Sequence, residues 1–214
     1  MLIIKGLQKH FGKTVVLQGL SLEAYTPDPI VILGSSGSGK TTLLRLIAGL
    51  EAPDAGEIHL SGTLASRVGW LRRPHERGIG FVFQTAALWP HMTVAQNILY
   101  GLNGTKKNQA RERLYELLER IDLKGFENRY PDELSGGEAR RVSLARCLAP
   151  KPPFLLMDEP LTHLDPTLKE KMLGLVTATA LETKALLIFV THEQAEGEQI
   201  GGRLFHLRHG RLEQ

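Results

Sequence analysis

Four short runs in this chain are apolar without alternating: Ile30–Leu33, Ile79–Phe83, Phe154–Met157 and Leu186–Val190. Runs of that length with no polar face read as strands covered on both sides, which predicts a mostly parallel sheet lying between helices. Two more segments, TVVLQGLSLEA and GEIHLSG, mix polar and apolar positions and predict a small antiparallel layer. The period changes in the middle of the chain. NQARERLYELLERIDL sets Ala110, Leu114, Leu117 and Ile121 at helical spacing, with Glu116 and Arg120 an i,i+4 pair on the polar face. Thr93 stands where it can cap VAQNILYGL. The pattern therefore predicts a single α/β domain over residues 1–214. Its core covers about 1–85 and 151–214, and a helical subdomain is inserted at about 86–150.

Composition narrows this only a little. The chain is 42% hydrophobic, 23% charged and 6% aromatic, ordinary for an α/β protein. Its net charge of +3 is too weak to argue for nucleic acid. The basic run Arg67, Arg72, Arg73, His75, Arg77 reads as a solvated loop, and no nucleic-acid partner is expected. A lone cysteine, Cys147, excludes an internal disulfide, and its apolar neighbours predict a buried thiol. No stretch approaches the ~20 apolar residues of a membrane span, and MLIIKGLQKHFGK lacks the layout of a signal peptide. A cytoplasmic protein that reaches a membrane only through a partner is the expectation.

The candidate chemistry begins at ILGSSGSGKTT, which follows the strand Ile30–Leu33 and precedes an apolar helical pattern. It matches G-x-x-x-x-G-K-[ST] at Gly34, Gly39, Lys40 and Thr41, in the strand–loop–helix setting the motif needs. The loop Gly34-Ser35-Ser36-Gly37-Ser38-Gly39 can curl so that successive N–H groups form a nest for phosphate oxygens. Lys40 supplies a cation for the β- and γ-phosphates, Thr41 a hydroxyl for Mg²⁺, and Thr42 reaches the α-phosphate. PFLLMDEP brings Asp158 and Glu159 to the carboxyl end of a buried strand, where α/β sheets bind ligands. Asp158 is placed for the Mg²⁺ shell and Glu159 for general-base work on an attacking water. These residues alone predict an NTPase with a RecA-like P-loop core.

A second anion-seeking feature lies in ELSGGEARRVSLARCL, where Ser135 is a good N-cap and Glu138 completes a capping box. Gly136 and Gly137 permit close approach to the N–H groups of the first helical turn. Two phosphate-type sites on one small chain require an explanation.

In this order the motifs resemble those of ABC-type ATPase subunits, over essentially all 214 residues. LSGGE, Leu134 to Glu138, resembles the family signature, and RYPDE its usual lead-in. FQTAALWPHMTV resembles the glutamine loop at Gln84, LTHLD the D-loop ending at Asp165, and FVTHEQAE the switch histidine at His192. KHFGK puts Phe11 where the family stacks an aromatic ring on adenine. The resemblance implies a head-to-tail homodimer, or a pair with a homologous ATPase subunit. The Ser135 tip of one copy would then cover the ATP that the P-loop of the other holds. It also implies that Gln84 touches Mg²⁺ or the attacking water, that His192 contacts the γ-phosphate, and that Asp165 joins the two sites.

The family's glutamine-loop surface docks a membrane subunit, and LWPHMTVAQNILYGL resembles that region in importers of inorganic ions and small polar solutes. Trp89 and Met92 suit either an apolar docking groove or the subdomain core. The implied partners are transmembrane permease subunits and a solute-binding protein, with this chain peripheral on the cytoplasmic face of the membrane. Two other readings stay open: a non-transport ABC ATPase in iron–sulphur assembly or nucleic-acid work, and a nucleotide-operated scaffold with negligible hydrolysis. Importer relatives often carry a C-terminal regulatory domain, so either a shorter subfamily or a shortened chain is expected.

Three positions depart from the family's habit. Glu138 stands for glutamine, Phe11 for tyrosine, and Thr162-His163 for Ser-Ala. His163 reads either as a surface residue or as the sensor of a pH-sensitive dimer. Gly197, Gly201 and Gly202 weaken the last helical stretch without an evident reason.

Overall fold

The computed structural model describes residues 1–102, 104–162 and 164–214. The chain opens with an antiparallel hairpin, β1 (Leu2–Phe11) and β2 (Thr14–Ala24), and then enters β3 (Ile30–Leu33) and helix α1 (Lys40–Ala48). A meander follows, formed by β4 (Ala55–Leu60), β5 (Thr63–Arg67) and β6 (Trp70–Leu71), and leads to β7 (Ile79–Val82). The helical segment holds α2 (Val94–Leu99), α3 (Lys107–Arg120) and α4 (Gly136–Leu148). Then come β8 (Phe154–Asp158), α5 (Pro166–Thr183), β9 (Leu186–Thr191), α6 (Gln194–Ile200) and a closing hairpin, β10 (Arg203–Arg208) and β11 (Arg211–Glu213).

Two sheets result, ordered β2-β1-β4-β5-β6 and β11-β10-β3-β9-β8-β7. The pairs β10·β3, β3·β9, β9·β8 and β8·β7 are parallel. Every other pairing, including the whole first sheet, is antiparallel. The expectation of a mostly parallel protein with a small antiparallel layer is therefore corrected: the antiparallel sheet has five strands against six. The physical reason is exposure. β1 and β2 wet one face, so their sequences carry polar residues at four of ten and four of eleven positions and read as weak strands.

Helix α1 lies between the two sheets. Ile30, Ile32, Leu156, Ile188 and Val190 face it in one core, together with Leu2, Ile4, Leu17 and Ile58 from the antiparallel sheet. The alternate residues Val31, Leu33, Leu155, Met157 and Phe189 face a second core built with α2 to α5. Each central strand thus buries both faces, which is why its sequence is apolar throughout. Cys147 lies in the second core, where burial pushes its thiol up to about 12.

Local expectations meet local structure in the helical segment. Thr93 caps α2 through a capping box with Gln96, and Leu114, Leu117 and Ile121 are buried along α3. Glu116 pairs with Arg120 at 3.2 Å and with Arg113 at 2.8 Å. The basic run behaves differently from expectation. Arg77 is only 3% exposed and donates to the carbonyls of Leu46, Ile47, Ala65 and Arg72. Its guanidinium closes the C-terminal end of α1, where the helix dipole favours a cation. Burial and the neighbouring Arg72 lower it to about 10, so it stays charged at neutral pH.

The late glycines also find a reason. A Cβ on Gly197 would lie 3.0 Å from Val31 Cγ1, so the glycine lets α6 approach β3. Gly202 has φ +91° and passes so close to the Pro29 carbonyl that no side chain fits. His163, the candidate pH sensor, lies outside the described residues. No helix among the described residues is long and apolar enough to cross a membrane.

Candidate functional site

The site is assembled where β3 hands over to α1. Gly39, at φ +105°, is the N-cap of α1 and offers no side-chain acceptor, so the first turn of the helix keeps its N–H groups free for an anion. Gly34 is needed for space: a Cβ there would meet Ser38 Oγ at 2.6 Å. That buried hydroxyl has no hydrogen-bond partner. Lys40 folds back beneath the loop, 4% exposed, with Nζ donating to the carbonyl of Gly34 at 2.7 Å and of Ser35 at 2.9 Å.

Two carboxylates meet the head of α1, Asp158 at the Thr41 hydroxyl and Glu159 at Lys40. Asp158 ends β8 at 2% exposure, and burial holds its carboxyl above the ordinary range, while the Thr41 hydroxyl and Lys40 partly offset this. Glu159 follows at φ 45°, a left-handed backbone that a non-glycine residue adopts at a cost of about 1–3 kcal/mol. Oε1 lies 3.6 Å from Lys40 Nζ and Oε2 lies 3.1 Å from His192 Nδ1. His192 follows β9, and its loop is braced on both sides. Lys169 pairs with Glu193 at 2.7 Å and with Glu196 at 3.1 Å. The buried Glu196 accepts from the Thr191 hydroxyl at 2.5 Å.

Beside Glu159 opens a cleft of about 210 Å³, whose lining includes neither Asp158 nor His192. Ser36, Gly37, Gly39, Lys40, Thr41 and Thr42 form its loop side. Phe11, Gln84, Glu159 and Val16 complete the wall. The Phe11 ring is half exposed and carries Lys9 Nζ 5.1 Å from its centroid, so one apolar face stands ready at the rim.

The signature residues lie elsewhere. None of Ser135, Gly136, Gly137 and Glu138 lines the cleft, and Asp165 caps α5 by accepting from Leu168 N–H. Ser135 Oγ accepts from Glu138 N–H at 3.3 Å, and Glu138 returns a bond to Ser135 N–H at 2.7 Å. That return bond lowers the Glu138 carboxyl. Gly136 is exposed, with open space where a Cβ would stand. One chain thus presents a phosphate-sized cradle around Lys40 and, apart from it, an exposed helix tip that caps itself.

Several contributors escape a motif reading. Val16 has no signal of its own. Arg140 reaches the Glu159 carbonyl at 3.1 Å, and Lys169 braces the histidine loop, both across long stretches of sequence.

A family model described as ABC transporter matches residues 17–162, spanning both the P-loop and the signature helix. The chain belongs to the ABC transporter family. Across its whole length this ABC chain is 43% identical to the sulfate/thiosulfate import ATP-binding protein CysA of Gloeobacter violaceus, covering 61% of that protein. It is 40% identical to the Fe(3+) ions import ATP-binding protein FbpC of Pasteurella multocida, covering 60% of it. The ABC chain therefore spans about three fifths of the length of these curated relatives. Among solved structures it superposes on the dimeric post-hydrolysis state of the ATP-binding cassette MJ0796 bound to ADP and Pi. That match has a TM-score of 0.89 and 30% identity, and covers 100% of this chain and 97% of the other.

Proposed function

We propose that this chain is the ATP-binding and ATP-hydrolysing subunit of an ABC importer for a small inorganic ion or polar solute. Two copies, or one copy and a homologous ATPase subunit, pair head to tail so that the Ser135 tip of each covers the nucleotide in the other's cradle. The observation that carries the reading is Glu159 in the wall of the P-loop cleft, with Lys40 Nζ 3.6 Å from one carboxylate oxygen and His192 Nδ1 3.1 Å from the other. The import names of CysA and FbpC and the dimeric cassette structures support it; the named relatives are import proteins rather than repair or translation factors.

In this reading the P-loop N–H groups and Lys40 bind the phosphates, and Phe11 stacks on adenine. Glu159 Oε2 accepts the proton of the attacking water. His192, held by Glu159 and the Lys169–Glu196 brace, faces the γ-phosphate as it leaves. Asp158 fits a hard divalent cation, because a buried carboxyl held up by desolvation beside a threonine hydroxyl gains most from one. Thr41, Asp158 and Gln84 would hold Mg²⁺, which when bound neutralises charge on the phosphates. Asp165, at the head of α5, sits between the two sites of the pair.

The docking surface for a permease subunit is the groove of about 420 Å³ between β7 and α4, where Trp89 packs tilted against Tyr100 with centroids 4.2 Å apart. Met92 lies on the adjoining face with His91 and Leu99. The protein would sit on the cytoplasmic face of the membrane, supplied from outside by a solute-binding protein.

Glu159→Gln tests the core of this reading. It should bind ATP as the parent does, lose turnover by at least about a hundredfold, and elute as a dimer only with ATP present. Parent-rate turnover, or a strictly monomeric variant at saturating Mg-ATP, would overturn it.

A further inference from the structure

We infer that Arg140 is a positioning residue for Glu159, so that the helix whose tip completes one nucleotide site also sets the base of the other. The inference rests on the reading of Glu159 as that base. Beyond β8 the chain turns at Glu159 with φ 45°, and the turn is tied at each end. Its N–H donates to the Val190 carbonyl at 2.9 Å. Its own carbonyl accepts from Thr162 Oγ1 at 3.0 Å and from Arg140 Nη1 at 3.1 Å. If that carbonyl rotates toward an ordinary backbone conformation, the carboxylate swings away from Lys40 and His192.

The two restraints differ in kind. Thr162 is three residues away and moves with the segment it holds. Arg140 belongs to α4, five residues beyond Ser135, and its half-buried guanidinium gives a charge-assisted bond to a strained peptide in another element. A shift of α4 is therefore felt at Glu159 directly. The same helix reaches the docking groove through Arg146, which donates to the Ala87 carbonyl at 2.9 Å and lies 4.6 Å over the Trp89 ring. One rigid element thus touches the signature tip, the hydrolytic carboxylate and the groove.

The test compares steady-state hydrolysis of Mg-ATP by the parent, Arg140→Met and Arg140→Lys. Arg140→Met should lose roughly ten- to a hundredfold in kcat, the scale of a small misplacement of a reacting group, with KM for ATP within about twofold. Arg140→Lys keeps a charged donor on a long stem and should recover most of that loss. In a Glu159→Gln background, Arg140→Met should leave the ATP-dependent dimer intact and the residual rate no lower, because the carboxylate it places is already gone. Should Arg140→Met not fold, Arg140→Ser, which admits water to the freed carbonyl, carries the same comparison. Parent-rate turnover, kcat and KM worsening together, or loss of the dimer in the double variant would each overturn the inference. Full activity of Glu159→Gln alone would instead overturn the assignment of the base.

Discussion

Two helix N-termini in this molecule are assigned to anions in the proposed function, and they are built in opposite ways. At α1 the N-cap is a glycine without a side-chain acceptor, the lysine is buried, and the cradle stands complete in a single chain. At α4 the N-cap is Ser135, whose capping box satisfies the helix with the protein's own carboxylate, Glu138. The first end is left unsatisfied and enclosed; the second is satisfied and open to solvent. A site that must hold nucleotide in a free subunit needs the former. A surface that engages only when a partner arrives needs the latter, because a bare cationic tip would attract phosphate from solution.

The sharpest way to separate the two ends is to disable each alone. Lys40→Ala should weaken binding of a fluorescent ATP analogue by roughly two orders of magnitude, the scale of losing a buried charge-assisted contact. Gly136→Asp should leave that binding unchanged and abolish the ATP-dependent dimer in a Glu159→Gln background. If both variants lose nucleotide equally, the division of labour is wrong.

The far end of α1 offers the next largest effect. Arg77→Met strands the carbonyls of Leu46 and Ile47 in the interior. It should cost about 3–5 kcal/mol in denaturant unfolding, whereas an exposed neighbour such as Arg73→Met should cost under about 0.5 kcal/mol.

Asp158 gives a result of opposite sign. Its folded pKa is raised by burial, so any stability from this group is full below the unfolded carboxyl value and lost as pH rises through the folded one. Wherever this carboxyl is ionised, its burial is a cost that the nucleotide-free chain carries. Asp158→Asn should therefore raise the thermal midpoint by about 2–4 °C for each kcal/mol released while losing Mg²⁺-dependent turnover. A midpoint that falls, or a gain that does not shrink toward acid pH, would count against this account.

The smallest expected change is at the second tip. Glu138→Gln keeps the capping box but, in the proposed pair, removes a negative charge from beside the partner's nucleotide. The ATP-dependent dimer should tighten by about two- to fivefold at low salt, the size of a helix-end charge effect, and less at high salt. The Glu138 carboxyl is lowered by Ser135 N–H, so its support of α4 is present above the unfolded pKa and fades only as pH falls through the lower folded one.

Much of this was legible in order of sequence distance. The P-loop, the end of β8 at Asp158 and the capping boxes at Thr93 and Ser135 depend on residues a few positions apart, so local spacing specifies them. The central strands were legible because burial on both faces leaves no polar position. The antiparallel sheet was underestimated because β1 and β2 show polar faces to water, and the basic run was misread because Arg77 is charged yet buried among carbonyls.

What the amino-acid order determined, then, was the inventory: a glycine loop with its lysine, an acidic strand end, a capped signature helix and a histidine after the last central strand. Tertiary structure decided which of these meet. It brought Lys40, Glu159 and His192 together, kept the Ser135 tip away from the cleft, and laid Arg140 and Thr162 on the carbonyl of a strained Glu159. The reason is that a buried carbonyl or carboxylate takes whichever donor the packing of distant elements brings within about 3 Å, and no local pattern records that choice.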